Sequence, residues 1–227
     1  MESPSCRASA SRSRLPVLGE LTEPEKLPVP KVSKKDAVRI LSVGELRFLF
    51  EQVSPEFLPW LALSAFSGLR SGEIRHPKKL PLDWSMVHRD RRLIDLPPSL
   101  SKTGRRKLLP ISDTLAAWLD AIDPPAKGEV IPEQASDHET GRLGALMDAH
   151  FQRAEGWPTN CLRHSFGSHR VAETGDIAAV ALEMDNSPEI IRRHYLEART
   201  KDQSAAYFGV LPRTFEEHKR NSFKINR

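Results

Sequence analysis

The chain has 227 residues, of which 39% are hydrophobic and 28% charged, and its formal net charge is +4. These values fit one globular domain with a real core, or two small ones, and the positive charge favours an anionic partner without proving one. No apolar run approaches the roughly 18 residues of a membrane span, the start has no apolar signal region, and two cysteines are too few for a disulfide framework. We therefore expect a cytoplasmic protein and exclude membrane and disulfide-stapled secreted classes.

The first part of the chain has the composition of a tail. Residues 1–36 contain five prolines among scattered Ser, Arg and Lys, and they show no apolar periodicity. This pattern predicts a disordered or extended segment. One folded domain is expected over residues 37–227.

Two helices are predicted at the start of that domain. Ser42 and Glu45 have the spacing of a capping box, and apolar residues follow at helical spacing. A second helix begins at Pro55, and Gly68 is a plausible C-cap. Arg70 is therefore expected on a turn just past a buried helix, before another one.

A change of pattern over residues 80–111 predicts a small antiparallel meander of three strands separated by turns at 88–92 and 101–106. The strand residues are Trp84, Met86, Leu93, Ile94, Leu96, Leu108, Leu109 and Ile111. Ser112 caps the next helix, a loop runs to about Thr140, and helices resume to about Leu196, with Tyr195 at the end of a short one. The predicted class is α+β, mainly α.

Four residues in order carry candidate chemistry. They are Arg70 in SGLRSGEI, Lys102 in SKTGRRK, Arg163 in LRHSF and Tyr195 in IIRRHYL. Cleavage of a phosphodiester by transesterification needs fixed positive donors for the non-bridging oxygens, a nucleophile, an acid for the leaving oxygen and a base for the nucleophile. Two arginines, a lysine and a tyrosine supply most of these parts without a metal.

The ordered set, with Tyr195 placed 32 residues after Arg163 (195 − 163), resembles the catalytic domain of the tyrosine recombinases, the phage-integrase family. The resemblance implies an integrase-type domain in which a three-stranded antiparallel sheet packs on a helical bundle. It implies that Arg70 and Arg163 clamp the phosphate, Lys102 is the general acid, Tyr195 is the nucleophile and Glu73 supports Arg70. It also implies duplex DNA as partner, self-association on DNA, and no metal or cofactor.

Several assignments have rivals. Arg106 and Lys107 compete with Lys102 for the role of the acid, and Tyr207 is the other tyrosine, interpreted as a packing residue. His164 and His169 are five residues apart, the wrong spacing for a shared helical face, so a metal site is rejected. The expected DNA-binding residues are Arg105, Arg106, Lys107, Arg192 and Arg193, and the turn with Arg89, Arg91 and Arg92 is a further basic cluster.

The sequence departs from the family pattern at two proton-handling positions. Asn160 stands where the family usually has a histidine, three residues before the second arginine, and Asn186 stands where it usually has histidine or tryptophan, nine residues before the tyrosine. An asparagine side chain cannot take a proton at neutral pH. Asp185 also places a negative charge where a phosphate approaches. The tail is too short and polar to form the separate core-binding domain that family members usually carry.

The leading hypothesis is DNA strand cleavage and rejoining through a 3′-phosphotyrosine, slowed by the two asparagines. The alternatives are a catalytically decayed relative that binds DNA or a recombinase partner, an unrelated basic DNA-binding domain, and, more distantly, a type IB topoisomerase. The DNA site, the biological outcome and the oligomeric state stay open.

Overall fold

A computed structural model of the protein describes residues 38–75, 80–131, 136–195 and 199–212. The predicted tail over residues 1–36 lies outside these described residues. The helices are α1 (Val43–Gln52), α2 (Leu58–Ser67), α3 (Ser71–Ile74), α4 (Asp113–Ile122), α5 (Ser136–Phe151), α6 (Cys161–Thr174), α7 (Ile177–Met184), α8 (Pro188–Tyr195) and α9 (Lys201–Phe208). The strands are β1 (Val87–His88), β2 (Leu93–Leu96) and β3 (Lys107–Pro110).

The first two predicted helices are confirmed. Ser42 accepts a hydrogen bond from the backbone N–H of Glu45, and Glu45 accepts one from the backbone of Ser42, which forms the capping box. The second helix begins with a 3₁₀ turn at Pro55–Phe57 and continues as α2. Gly68 ends it in the left-handed region at φ 68°.

Gly68 is required by space as well as by conformation. A Cβ atom at this position would lie 2.5 Å from Cδ1 of Phe166 on α6. The tight contact between this turn and α6 brings the chain beyond Gly68, including Arg70, against the α6 helix that carries Arg163.

The predicted meander is present as a three-stranded antiparallel sheet in the order β1-β2-β3, with Ile94 paired to Leu109. One detail of the prediction is wrong. Trp84 and Met86 belong to a 3₁₀ turn and not to a strand, because Asp83 caps the backbone N–H of Ser85 and turns the chain before β1. The side chains of β3 alternate, so that Lys107 and Leu109 are buried and Leu108 is exposed.

The predicted loop to about Thr140 is also corrected, because α5 begins at Ser136. Its first turns are held by polar contacts. Glu139 is 4% exposed and accepts hydrogen bonds from the backbone N–H of Ser54 and from Arg142. Because polar contacts hold the first turns of α5, the sequence there shows no apolar periodicity that would predict a helix.

Two apolar cores lie beneath these elements. The larger one centres on α2 and the sheet and includes Trp60, Phe66 and Trp118. The smaller one lies between α6, α7 and α8 and includes Met184 and Tyr195. The fold is mainly helical with a small antiparallel sheet, as the sequence predicts. Within the described ranges, no helix has the length and apolar character needed to cross a bilayer.

Candidate functional site

Arg70 lies where the sequence places it, on the turn between α2 and α3. Its guanidinium Nη1 is 3.0 Å from Oε1 of Glu73, and its backbone N–H donates to Oε2 of the same carboxylate at 2.9 Å. Glu73 is 2% exposed, whereas the side chain of Arg70 is 20% exposed. Glu73 therefore binds Arg70 through both its side chain and its backbone N–H, and one fifth of the arginine side chain stays exposed.

Lys107 on β3 binds the same carboxylate oxygen of Glu73 as the Arg70 guanidinium does. Its Nζ lies 2.5 Å from Oε1 of Glu73, and its side chain is 5% exposed. Burial lowers the pKa of Lys107, Glu73 opposes this, and the charges of Arg163 and Arg70 lower it further. Burial raises the pKa of Glu73, but the ion pair and hydrogen bond with Lys107 outweigh it and leave the pKa below its ordinary value. Glu73 is thus a shared counterion for two cations.

Arg163 is 6% exposed and binds two helix ends. Its guanidinium donates to the backbone carbonyl of Gly68, at the end of α2, and to that of Met184, at the end of α7. Burial lowers the pKa of Arg163 to about 10, and the nearby positive charge of Arg70 acts in the same direction. The buried arginine consequently carries its charge at neutral pH and holds α2, α6 and α7 together.

The turn after α7 contacts both arginines. Arg70 donates to the backbone carbonyl of Asp185 at 3.3 Å. The side-chain amide of Asn186 lies between the two guanidinium groups, so that its oxygen accepts from Arg70 in one amide orientation and from Arg163 in the other, at 3.3 Å in each case. The structure therefore brings the two predicted clamp arginines and Asn186 to one place.

Asp185 adds a second carboxylate to this cluster. Its Oδ2 lies 3.7 Å from Nη1 of Arg70 and 3.9 Å from Nζ of Lys107, and it accepts a hydrogen bond from the hydroxyl of Thr103 at 2.8 Å. We call Arg70, Lys107, Arg163, Glu73 and Asp185 the cation cluster. Its three cations and two carboxylates leave one net positive charge.

Tyr195, the last residue of α8, packs against α6. It is 3% exposed, and its hydroxyl lies 3.0 Å from Nδ1 of His164. A Cβ atom on Gly167 would lie 3.1 Å from the ring of Tyr195 and 2.7 Å from Sδ of Met184, so this glycine permits the close approach of α8. Burial raises the pKa of Tyr195, and the charges of Arg163 and Arg70 partly offset that rise. The tyrosine is therefore within electrostatic reach of the two arginines.

Lys102 is exposed on the turn between β2 and β3, and it forms no ion pair with another described residue. Its neighbour Thr103 ties that turn to the cation cluster through Asp185. Lys107, expected as a DNA-contacting surface residue, is instead buried in the cluster. Period-two alternation gives the reason, since Leu109 faces the core and Lys107, two residues earlier, faces the same way.

The remaining candidates lie at the surface. Asn160 is exposed at the N-terminus of α6, in the left-handed region at φ 55°, and lines a small pocket with Arg163 and Ser71. Arg105, Arg192 and Arg193 are exposed and form no ion pair with other described residues.

Most of the other surface arginines are paired with carboxylates. Arg106 is held by Asp95 at 2.5 Å. Arg89 pairs with Asp120, and Arg92 with Asp113. Phosphate contacts by these three arginines would therefore have to compete with an internal carboxylate.

His164 is the residue that the sequence reasoning did not place at the site. It was considered only for metal binding with His169. Its position directly after Arg163 on α6 is the available signal, because consecutive residues of a helix project only about 100° apart. The pairing with Tyr195 depends on the packing of α8.

Comparisons with known proteins find a similar fold but no relative by sequence. No protein-family model matches the chain, and no curated protein matches it by sequence. Among solved structures, the chain is similar to the crystal structure of XerA recombinase, with a TM-score of 0.53 and 13% sequence identity, over 86% of this chain and 66% of that chain. The chain thus spans about two thirds of its structural neighbour, and the likeness establishes the fold.

Proposed function

We propose that this protein cleaves and rejoins strands of duplex DNA through a covalent 3′-phosphotyrosine, as tyrosine recombinases do. The observation that carries the proposal is the meeting of Arg70 and Arg163 at residues 184–186, with Tyr195 within electrostatic reach of both. These residues come from separate elements, far apart in the chain, and the resemblance gives a role to each. The similarity to XerA recombinase in fold supports the same class of function.

The phosphate would enter beside Arg70 and displace Asp185. The Arg70 side chain is 20% exposed, and Asp185 occupies the side of Arg70 and Lys107 that a non-bridging oxygen would take. Arg163 is committed to two carbonyls and acts mainly by its fixed charge and by holding the cluster together. Such preorganised positive charge stabilises the pentacoordinate transition state.

The lysines divide into two proposed roles. Lys102 remains the general acid implied by the resemblance, because it is exposed on a turn that Thr103 attaches to the cluster. Lys107 is locked to Glu73 and serves as a fixed cation that positions Glu73 and, through it, Arg70. A substrate whose leaving group needs no proton distinguishes the two roles. It restores activity to a variant that lacks the general acid, but not to a variant that lacks a positioning charge.

The test of the function is formation of a covalent protein–DNA adduct. A labelled duplex with a nick near the cleavage point traps the intermediate, because the short product diffuses away. We expect a slow adduct on a denaturing gel. Replacing the 5′-bridging oxygen with sulfur should restore Lys102→Ala and leave Lys107→Ala impaired. If the sulfur substrate restored adduct formation in Lys107→Ala alone, Lys107 would be the general acid and Lys102 would not.

A second function has specific support. Asp185 and Glu73 already neutralise most of the cluster, and the amides of Asn160 and Asn186 cannot accept a proton. The alternative is therefore a non-catalytic relative that binds DNA or a recombinase partner. Absence of adduct from both the wild type and Asn160→His, with DNA binding retained, would favour this alternative.

A further inference from the structure

The hydroxyl of Tyr195 has one hydrogen-bond partner among the described residues, and that partner is His164. The distance between Oη and Nδ1 is 3.0 Å, and the two ring centroids are 5.7 Å apart. His164 is on α6, directly after Arg163, and Tyr195 is the last residue of α8. The contact therefore joins the candidate nucleophile to the helix that carries the second clamp arginine.

The charges around His164 keep its ring neutral. Burial lowers the pKa of His164 to about 4, and the charges of Arg163 on the same helix and His194 on α8 act in the same direction. The imidazole is therefore neutral at pH 7, and in the tautomer with its proton on Nε2 the Nδ1 atom accepts from the tyrosine hydroxyl. In that tautomer a proton-accepting lone pair points at the hydroxyl proton of the candidate nucleophile.

Among the described residues, no other side chain forms a hydrogen bond with the hydroxyl of Tyr195. The imidazole of His194, its neighbour in the chain, lies with its ring centroid 6.3 Å from that of Tyr195 and makes no such bond. The ring of Tyr195 contacts the apolar cluster of α6, α7 and α8, which includes Phe166, Met184 and Ile191. The charged groups that act on it, Arg163 and Arg70, are cations. Asn160 and Asn186, at the usual proton-handling positions, carry amides.

We propose that His164 is the general base that takes the proton of Tyr195 during strand cleavage. The proposal rests on the proposed function. In the step, Tyr195 Oη forms a bond to phosphorus, its proton moves to Nδ1 of His164, and the bond from phosphorus to the 5′-oxygen breaks. The leaving oxygen takes a proton from the general acid, and rejoining reverses each transfer.

The chain contains a matched control. His169 lies five residues further along α6, and burial likewise lowers its pKa to about 4. It stacks on the other tyrosine, Tyr207, at 4.2 Å between centroids, and its Nδ1 faces the hydroxyl of Ser204 at 3.4 Å. A half-buried and a buried histidine, both neutral, therefore each lie beside a tyrosine, but His164 hydrogen-bonds to the hydroxyl and His169 stacks on the ring.

The decisive variant is His164→Asn, whose amide oxygen takes the place of Nδ1 and keeps a hydrogen-bond acceptor for Tyr195. His164→Gln is the second variant if the first does not fold, and His169→Asn is the control. The rate of adduct formation on the nicked duplex is measured from pH 6 to pH 9, with thermal melts to verify folding.

Four results are expected together. His164→Asn slows adduct formation about 10²–10³-fold at pH 7. Its rate then rises about tenfold per pH unit, because the phenolate must form without a base, whereas the wild-type rate is nearly flat. A 5′-bridging sulfur does not restore the His164 variant, although it restores Lys102→Ala. His169→Asn retains the wild-type pH profile.

Two outcomes overturn the inference while the function stands. One is a His164→Asn rate within about twofold of the wild type, and the other is a slower rate with an unchanged pH profile, which indicates a purely structural histidine. Absence of adduct from the wild type overturns the function and the inference with it.

Discussion

Tyr195 and Tyr207 occupy two regions of the molecule that look alike and differ in chemistry. Each tyrosine is almost fully buried, at 3% and 0% exposure, and each lies beside a histidine of α6. The hydroxyl of Tyr207 donates to the backbone carbonyl of Ala65 at 2.9 Å, in the large apolar core. The hydroxyl of Tyr195 meets His164 and the field of two arginines.

The difference shows what burial does in each setting. Burial raises the pKa of Tyr207 well above its ordinary value, and no cation of the described residues offsets this rise. Burial also raises the pKa of Tyr195, but Arg163 and Arg70 work against it. The surroundings of Tyr207 suit packing, and those of Tyr195 suit a nucleophile.

The largest expected effect comes from exchanging each phenol for phenylalanine. Tyr195→Phe abolishes the covalent adduct, because its ring has no atom that attacks phosphorus, and Tyr207→Phe retains it. Both are compared with the wild type on a denaturing gel with labelled nicked duplex. An adduct that persists in Tyr195→Phe and disappears in Tyr207→Phe would reverse the assignment.

The next largest effect is expected from removing Arg70, a cation that lowers the pKa of Tyr195 and not that of Tyr207. Arg70→Ala slows adduct formation about 10²–10³-fold, since it removes a preorganised donor to the phosphate. The same change raises the pKa of Tyr195, because one offsetting positive charge is lost, and leaves that of Tyr207 unchanged. Spectroscopic titration of the two tyrosines checks this, and equal shifts of both would contradict it.

The two histidines predict a shared pH dependence of stability. Their pKa values are about 4 in the folded protein, and an unfolded histidine titrates near 6.5. Between these values the unfolded chain binds more protons, so the free energy of unfolding falls as the pH drops from about 6.5 to 4, by roughly 3 kcal/mol for each histidine. At higher pH both are neutral in either state and contribute no pH dependence.

His164→Asn should remove the part of this fall in unfolding free energy that His164 causes. His169→Asn should do the same for His169. Thermal or denaturant unfolding of the three proteins at pH 7 and pH 4.5 measures it. A wild type with equal stability at both pH values would show that these imidazoles are not held neutral by the fold.

The phenylalanine pair also predicts a smaller difference in stability. Tyr207→Phe leaves the buried carbonyl of Ala65 without its partner and costs about 1–2 kcal/mol. Tyr195→Phe costs less, below about 1 kcal/mol, because His164 is half-buried and its Nδ1 can bind water. Chemical denaturation gives both values, and a larger cost for Tyr195→Phe would mean that its hydroxyl serves mainly the fold.

The smallest expected effect concerns DNA affinity near Tyr195. Asp185→Asn removes the carboxylate that competes with a phosphate at Arg70 and Lys107, so duplex binding should tighten a few-fold and its salt dependence should steepen by up to about one ion. The control is Asp120→Asn, which removes the closer of two carboxylates that contact Arg89 elsewhere on the surface. If both variants tightened DNA binding equally, the cause would be the change in net charge of the protein and not a phosphate site beside Arg70.

Local signals in the sequence determined much of this protein. The capping box at Ser42, the left-handed end of α2 at Gly68 and the strand pattern of the sheet depend on residues close in the chain. Each appears as predicted, except that Trp84 and Met86 form a 3₁₀ turn before the first strand. The order of Arg70, Arg163 and Tyr195 pointed to phosphate chemistry before any geometry, because few reactions use those groups together.

The partners of those residues were decided by tertiary structure. The sequence offered Lys102 and Lys107 on one hairpin, and the inward face of β3 put Lys107 on Glu73. It offered two histidines and two tyrosines, and the packing of α8 and α9 against α6 paired His164 with the hydroxyl of Tyr195 and His169 with the ring of Tyr207. Sequence spacing fixes which residues share a helix face. The contacts between faces depend on how residues from different helices fit, such as Gly167, which has no side chain, against Met184.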